Sequence, residues 1–291
     1  MIQITGHTRF GGLLGSPVAH SLSPAMHNLS FAALNIDAVY LAFDVTGERL
    51  KETVRVFRDL NAYGFNVTMP GKKHVMEYLD EVSRSARLIG AVNTVVNENG
   101  KLIGYNTDGT GYTSALREHG FDPKGKEVTL VGAGGAACAA AVQMALDGVK
   151  TLHIVNRKSR SADAAYALAQ RINQATSCRA DVAFLEDAQT LADLISGSDL
   201  LTNATPIGMA PETEASFLKD PSPLRSSLVV SDMVYNPRMT KLRRQAMEAG
   251  CKTIGGTSML LWQGAEAFRL WTGKQMPVAL VRERIFSGED E

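Results

Sequence analysis

Apolar positions along the chain recur with two periods, and their alternation predicts the elements. Residues 10–14 form a short apolar run that ends at Gly15, and residues 38–45 alternate as a strand does. Leu50, Val54, Phe57 and Leu60 then fall at helical spacing, before Phe65-Asn66-Val67-Thr68 reads as a third strand that stops at Met69-Pro70-Gly71. Residues 91–96 and 102–109 predict a hairpin joined across 97–101, whose turn contains Asn99-Gly100. Further strands are expected at 128–131, 151–155, 181–184, 200–204, 228–232 and Lys252–Ile254, with helices at 136–146, 188–195 and 240–249 among them. Two closing helices, 258–272 and Val278–Ile285, carry apolar residues at helical spacing, and the polar tail from Ser287 is expected to fray. Strands alternating with helices imply an α/β chain.

One junction in this pattern carries chemistry. The strand 128–131 runs straight into Gly132-Ala133-Gly134-Gly135-Ala136-Ala137, and Gly132, Gly134 and Ala137 fit the dinucleotide spacing G-x-G-x-x-[G/A]. The first glycine makes a tight turn, the second lets the backbone approach a pyrophosphate, and Ala137 permits close helix-to-strand packing. Free N–H groups and the positive end of a helix starting near Gly135 would hold phosphates without a basic side chain. Glycine and alanine also accumulate wherever a helix packs closely on a sheet, but a strand before the loop and a helix and strand after it favour a nucleotide.

Length and composition narrow the rest. At 291 residues the chain is large for one core, which implies two domains. A formal net charge of zero gives no electrostatic reason to expect nucleic acid or an acidic membrane as partner. Cys138, Cys178 and Cys251 are scattered and odd in number, which fits a reducing compartment, so a cytoplasmic location is expected. The six histidines show no metal-ligand spacing with them, and no metal is expected. No apolar stretch approaches a membrane span, and no basic segment followed by an apolar run opens the chain.

Three polar places stand out in the N-terminal third. Ser16-Pro17-Val18-Ala19-His20-Ser21-Leu22-Ser23-Pro24 is rich in hydroxyls, with Ser23 read as a helix N-cap and Pro24 as the first helical residue. Such a helix end, flanked by Ser21 and Ser23, would suit a carboxylate; the plainer alternative is that Ser23 only caps its own helix. Lys72 lies just past the end of a strand, where open α/β sheets meet their ligands, although lysines near turns are usually solvated. Asp108 followed by Gly109 is either a turn residue or a carboxylate delivered to a site, with a helix beginning over 112–116.

Taken together, Ser21-Leu22-Ser23-Pro24, Asn66-Val67-Thr68-Met69-Pro70-Gly71-Lys72, Gly90-Ala91-Val92-Asn93-Thr94, Asn106-Thr107-Asp108-Gly109 and residues 132–137 closely resemble the shikimate dehydrogenase family. Asn203-Ala204-Thr205-Pro206-Ile207-Gly208-Met209, Asp232-Met233-Val234-Tyr235-Asn236-Pro237 and residues 255–263 extend the resemblance, in family order, over nearly the whole chain. It implies an N-terminal α/β substrate domain over 1–112 and a Rossmann nucleotide domain over 113–257, with the C-terminal helices of 258–291 packing back on the first. The implied reaction is reversible oxidation of a ring alcohol, of shikimate or quinate, with hydride passed to a nicotinamide. Lys72 and Asp108 become the catalytic pair, because hydride leaves the carbinol carbon only as its hydroxyl proton departs to a base within reach. An amine acts as base when burial disfavours its charged form, and a neighbouring carboxylate works the other way. Asp108 is therefore read mainly as orienting Lys72 and holding substrate hydroxyls, and which of the two moves the proton stays open.

By the same resemblance Ser21 and Ser23 hold the substrate carboxylate, Asn66, Thr68, Asn93 and Gln263 line the hydroxyl-bearing ring, and Tyr235 and Tyr40 are further contacts. Ser, Thr, Asn and Gln each donate and accept, as a polyol requires. Without the resemblance, Gln263 reads as a solvent-facing helix residue and Tyr40 as a strand residue packed in the sheet. The implied cofactor contacts are Gly132, Ala133, Gly134, Gly135, Ala136, Asn156, Arg157, Lys158, Thr205, Met233 and Gly256. After the strand 151–155 the chain offers cations, Arg157 and Lys158 with Arg160, and no acid for a ribose diol. The NADP branch of the family usually carries threonine after the arginine and a second basic residue at another spacing. Residues 169–173 look more like the quinate/shikimate branch, where an aspartate favouring NAD often stands at the position of Ser159. Its absence favours NADP, with NAD as the alternative. A monomer or homodimer is expected, and the competing reading of another class is a non-catalytic nucleotide sensor of the same fold.

Overall fold

The computed structural model describes residues 4–159 and 162–286. The chain divides into two compact units, Met1–Thr107 with Leu261–Glu291, and Asp108–Leu260. Arg160, expected to face a phosphate, and the tail from Ser287 lie outside the described residues.

The first unit runs β1 (Arg9–Gly15), α1 (Ser23–Ala33), β2 (Ala38–Asp44), α2 (Leu50–Asp59), β3 (Gly64–Val67), β4 (Glu81–Val82), α3 (Arg84–Ile89), β5 (Thr94–Glu98) and β6 (Lys101–Tyr105). Its six strands lie in the order β2-β1-β3-β5-β6-β4. β1 pairs parallel with β2 and β3, whereas β3 meets β5, and β5 meets β6, antiparallel. The β5–β6 turn is the expected one: Asn99 and Gly100 have φ of 53° and 94°, the positive pair that a two-residue hairpin needs. On one face of the sheet, Leu50, Val54 and Phe57 of α2 bury against Leu14, Phe65, Val67 and Val95, each burial contributing about 1.5–3 kcal/mol.

Two local expectations are corrected. Ser23 is not the N-cap of α1; Leu22 is, with Met26 N donating to Leu22 O. The Ser23 side chain faces the protein interior instead, and its hydroxyl bonds that of Tyr40. The helix α3 was not anticipated, because six residues are too few to show a period. Its ends were visible all the same: Ser83 Oγ accepts from Ala86 N at the start, and Gly90, at φ 77°, closes it in the left-handed conformation.

The second unit carries α4 (Thr107–Glu118), β7 (Glu127–Val131), α5 (Gly135–Leu146), β8 (Thr151–Asn156), α6 (Ala162–Ala175), β9 (Arg179–Phe184), α7 (Ala188–Gly197), β10 (Leu200–Asn203), β11 (Val229–Asp232), α8 (Lys241–Glu248) and β12 (Lys252–Ile254). All its strand pairs are parallel, in the order β12-β11-β10-β7-β8-β9. This is the doubly wound Rossmann order, with direction reversing between β7 and β10, where such sheets receive ligands. The helix expected from Tyr112 begins five residues earlier, so Asp108 sits in a first helical turn. Gly109 is a packing residue and not a turn residue: a Cβ there would lie 2.6 Å from Ala139 O, so only glycine lets α4 cross α5 this closely. The helix α6 was also passed over, although Ala165, Leu168, Ala169 and Ile172 are its buried stripe.

The closing helices are α9 (Gly256–Thr272) and α10 (Val278–Ile285). Within the first unit, Phe268 and Trp271 of α9 join Phe31, Tyr40 and Tyr63 around His27, whose ring lies 4.5 Å from Tyr40 and 5.0 Å from Trp271. Neither His27 nitrogen has a hydrogen-bond partner, and burial lowers its pKa to about 3, so the ring is a neutral aromatic at ordinary pH. Among the described residues no helix is long and apolar enough to cross a membrane.

Candidate active site

In the first unit the candidate substrate residues gather at one end of the sheet. Thr68 N donates to Leu14 O at 2.8 Å, which ties the end of β3 to β1, and Ser21 Oγ accepts from Ser23 N at 3.2 Å in the loop that follows β1. The Tyr40 ring is fully buried, and its hydroxyl donates to Asn66 Oδ1 at 2.7 Å. Since that proton is committed, Ser23 donates to the same phenol oxygen. Burial, then the neighbouring Tyr63, pushes the Tyr40 phenol far above its ordinary range, against the bond from Ser23, so it remains a neutral donor. Asn66 Nδ2 donates to Asn93 O at 3.0 Å and Thr94 Oγ1 at 2.9 Å. Asn93 Oδ1 accepts from Thr107 N at 2.7 Å and from Thr94 Oγ1 at 3.0 Å. Ser23, Tyr40, Asn66 and Asn93 thus belong to one hydrogen-bonded chain, completed by Thr94 and Thr107.

Lys72 is half-buried in the turn after β3, and its carbonyl accepts from Val92 N at 2.8 Å, which anchors the turn beside Asn93. Asp108 follows Thr107 in the first turn of α4, where the helix dipole favours a carboxylate. Gln263 is half-buried on α9. Among the described residues a cavity of about 340 Å³, lined in part by Arg9, Asp37, Tyr63 and Trp271, involves none of the candidates, and no cluster of three or more His, Cys, Asp or Glu could hold a metal.

In the second unit the glycine loop has the shape its spacing implies. Gly132 has φ 115°, and a Cβ there would lie 2.9 Å from Ala204 O, so the turn after β7 is closed to other residues. Gly134 and Gly135 are exposed, a Cβ on either would meet nothing, and no side chain caps α5. Open space before uncapped N–H groups fits a pyrophosphate. Ala133 and Ala136 flank these positions, and Ala137 is buried beneath them. Beside the loop, Thr205 donates through N and Oγ1 to Asn203 Oδ1, at 3.1 and 2.7 Å. Asn203 Nδ2 reaches the buried Asp232 Oδ1 at 2.9 Å, and Asp232 Oδ2 accepts from Thr240 Oγ1 at 2.7 Å. Burial raises the Asp232 pKa although Thr240, Val234, Asn203 and Arg243 all oppose it. Met233 N donates to Asn203 O, and a Cβ on Gly256 would strike the Met233 carbonyl, so Thr205, Met233 and Gly256 are held by adjoining loops. Tyr235, just beyond, is about half exposed.

Asn156 is buried at the end of β8, and Arg157 and Lys158 are exposed after it. The expectation of no acid here needs correction: Glu186, from the loop after β9, places Oε2 3.0 Å and Oε1 3.1 Å from Lys158 N. Sequence reasoning missed it because it searched one strand end. The matching end of the next strand was the signal, since parallel neighbours deliver their following loops together.

Comparison with known proteins adds a separate line. The model of the shikimate dehydrogenase substrate binding domain matches residues 13–95, and that of the shikimate 5'-dehydrogenase C-terminal domain matches residues 256–286. The chain is 49% identical over 284 residues to a shikimate dehydrogenase (NADP(+)) of Listeria monocytogenes serotype 4b (strain F2365), covering 98% of each. It is 44% identical to a quinate/shikimate dehydrogenase of Escherichia coli O17:K52:H18, over 97% of this chain and 98% of that one. The 1.45 Å crystal structure of shikimate 5-dehydrogenase from Listeria monocytogenes in complex with shikimate and NAD superposes with a TM-score of 0.95, at 49% identity over 97% of both chains.

Proposed function

This chain belongs to the shikimate dehydrogenase family, and on that premise we propose that it catalyses the reversible nicotinamide-dependent oxidation of shikimate to 3-dehydroshikimate and of quinate to 3-dehydroquinate. The observation that carries the reading is the hydrogen-bonded chain Ser23–Tyr40–Asn66–Thr94–Asn93–Thr107 at one end of the first sheet. Groups that both donate and accept, held in fixed orientation, suit a ring bearing several hydroxyls, and a site of this kind rejects analogues that leave its partners unpaired. Ser21 and Ser23 hold the carboxylate, Ser23 turning its one proton from the Tyr40 oxygen to do so, and Asn66, Thr68, Asn93 and Gln263 hold the ring, with Tyr40 and Tyr235 as further contacts. Quinate carries one more hydroxyl on the carboxylate-bearing carbon, so discrimination falls to Ser21, Ser23 and Tyr40. Lys72 and Asp108 together handle the hydroxyl proton, which leaves the ring alcohol on oxidation and returns to it on reduction.

The nicotinamide, when bound, supplies the hydride acceptor. Gly132, Ala133, Gly134, Gly135 and Ala136 hold the pyrophosphate, while Asn156, Arg157 and Lys158 meet the adenosine half. Thr205, Met233 and Gly256 lie toward the nicotinamide. The two exposed cations favour NADP, with NAD as the alternative. Cytoplasmic work, supported by three unbridged cysteines, and a monomeric or homodimeric state complete the proposal.

The test is absorbance at the reduced-nicotinamide band with each acid and each nucleotide. Lys72→Ala lowers turnover by a factor on the order of 10²–10⁴ while nucleotide affinity is retained. Near-normal turnover of that variant removes Lys72 from the mechanism. Silence of the unaltered enzyme in all four combinations favours the nucleotide sensor.

A further inference from the structure

Glu186 owes its place to strand register. Asn156 of β8 stands opposite Phe184 of β9, and Leu185 N continues the ladder by donating to Asn156 O at 3.0 Å. The next step sets Glu186 against Lys158, and both carboxylate oxygens accept from the Lys158 main-chain N–H, at 3.0 and 3.1 Å. The neighbouring Asp187 is turned elsewhere: it accepts from Thr190 N at 3.1 Å and Thr190 Oγ1 at 2.7 Å, capping α7. The loop after the second strand of a doubly wound sheet is where the adenosine ribose lies; an acid there binds the ribose diol and cations accommodate a 2′-phosphate. This chain has both, on adjoining loops: exposed Arg157 and Lys158 after β8, and after β9 an exposed carboxylate on the donor that a phosphate oxygen would need.

We propose that Glu186 sets the balance between the two nucleotides: its carboxylate accepts from the free ribose diol of NAD and opposes the 2′-phosphate of NADP, which must displace it from the Lys158 N–H. This rests on the reading of the second unit as a dinucleotide site. It also explains why two cations beside the ribose need not make the enzyme exclusive for NADP.

Two variants separate charge from geometry. Glu186→Gln keeps an oxygen for the Lys158 N–H and so keeps the loop, but removes the charge; Glu186→Ala also frees the donor. NADH and NADPH are titrated into the full-length enzyme and each variant by nucleotide fluorescence, and kcat/KM is measured with NAD and NADP. The expected result is a rise on the order of tenfold in the NADP-to-NAD preference for both variants, with added salt narrowing the difference from the unaltered enzyme. An unchanged ratio, or an equal change for both nucleotides, overturns the role of Glu186. If the enzyme binds both nucleotides without turnover, the dehydrogenase reading fails while the titrations still decide Glu186; if it binds neither, the dinucleotide site and this proposal fall together.

Discussion

The Tyr40 hydroxyl has one proton, and Asn66 Oδ1 takes it inside the protein. The consequence is orientation: with its oxygen facing Tyr40, the Asn66 amide nitrogen must face Asn93 O and Thr94 Oγ1. Tyr40→Phe preserves the ring packing on His27 and Trp271 but leaves a buried acceptor unpaired, a cost of about 1–3 kcal/mol. Urea unfolding should register that loss, and KM for the ring acid should rise while affinity for the nucleotide stays constant. If neither changes, Asn93 and Thr94 orient the amide unaided. At this scale Asn66, Asn93 and Lys72 were legible as candidates because each sits in a short block that resembles the family's. Thr94 and Thr107 were not, since a threonine on a strand or before an aspartate is commonplace, and Glu186 was hidden by the 28 residues that separate it from Lys158.

Three neighbouring strands share one ionic clamp. Parallel register sets Thr129, His153 and Asp181 side by side on β7, β8 and β9. His153 Nδ1 lies 2.8 Å from Asp181 Oδ1, and its Nε2 lies 3.1 Å from Glu127 Oε1. Burial works against a charged ring, but the hydrogen bonds and charges of Asp181 and Glu127 outweigh it, and the His153 pKa is raised above 6.5. A base whose folded pKa exceeds its unfolded one contributes stability that is complete below about pH 6.5 and is lost as pH rises through the folded value. The unaltered protein should therefore lose melting temperature from mildly acidic to alkaline pH, relative to His153→Asn, by the equivalent of about 1 kcal/mol or less, since both carboxylates are partly exposed. A parallel pH course for the two proteins refutes the clamp. Cys178, its thiol pushed up to about 11 by burial and by Asp181, stays neutral through this range. Elements with long apolar periods were readable in sequence. The start of α4 was not, because Asp108-Gly109 has the chemistry of a turn and only the closeness of α5 shows what the glycine is for.

The two units differ in how the chain builds them. Asp108–Leu260 is continuous and contains all six strands of its own sheet, whereas the first unit is completed by residues that return after Leu260. Phe268 is fully buried there, and Trp271 Nε1 donates to Val95 O at 2.9 Å. Truncation after Leu260 removes both rings, a loss of several kcal/mol against the 5–15 kcal/mol typical of a folded domain, roughly enough to unfold the unit. Hydrogen exchange on the truncated chain should show protection lost from β1, β2 and β3 and kept in β7 through β12; equal protection in both sheets contradicts this division of stability. The sequence alone determined what depends on a few adjacent residues: the burial periods, the Asn99-Gly100 turn, the glycine that a φ of 115° requires at Gly132, and the family blocks. Tertiary structure decided which distant groups meet, Tyr40 with Asn66, Glu186 with Lys158 and Trp271 with Val95. Strand order and helix approach set those distances, and both arise from packing the whole chain, which no local pattern encodes.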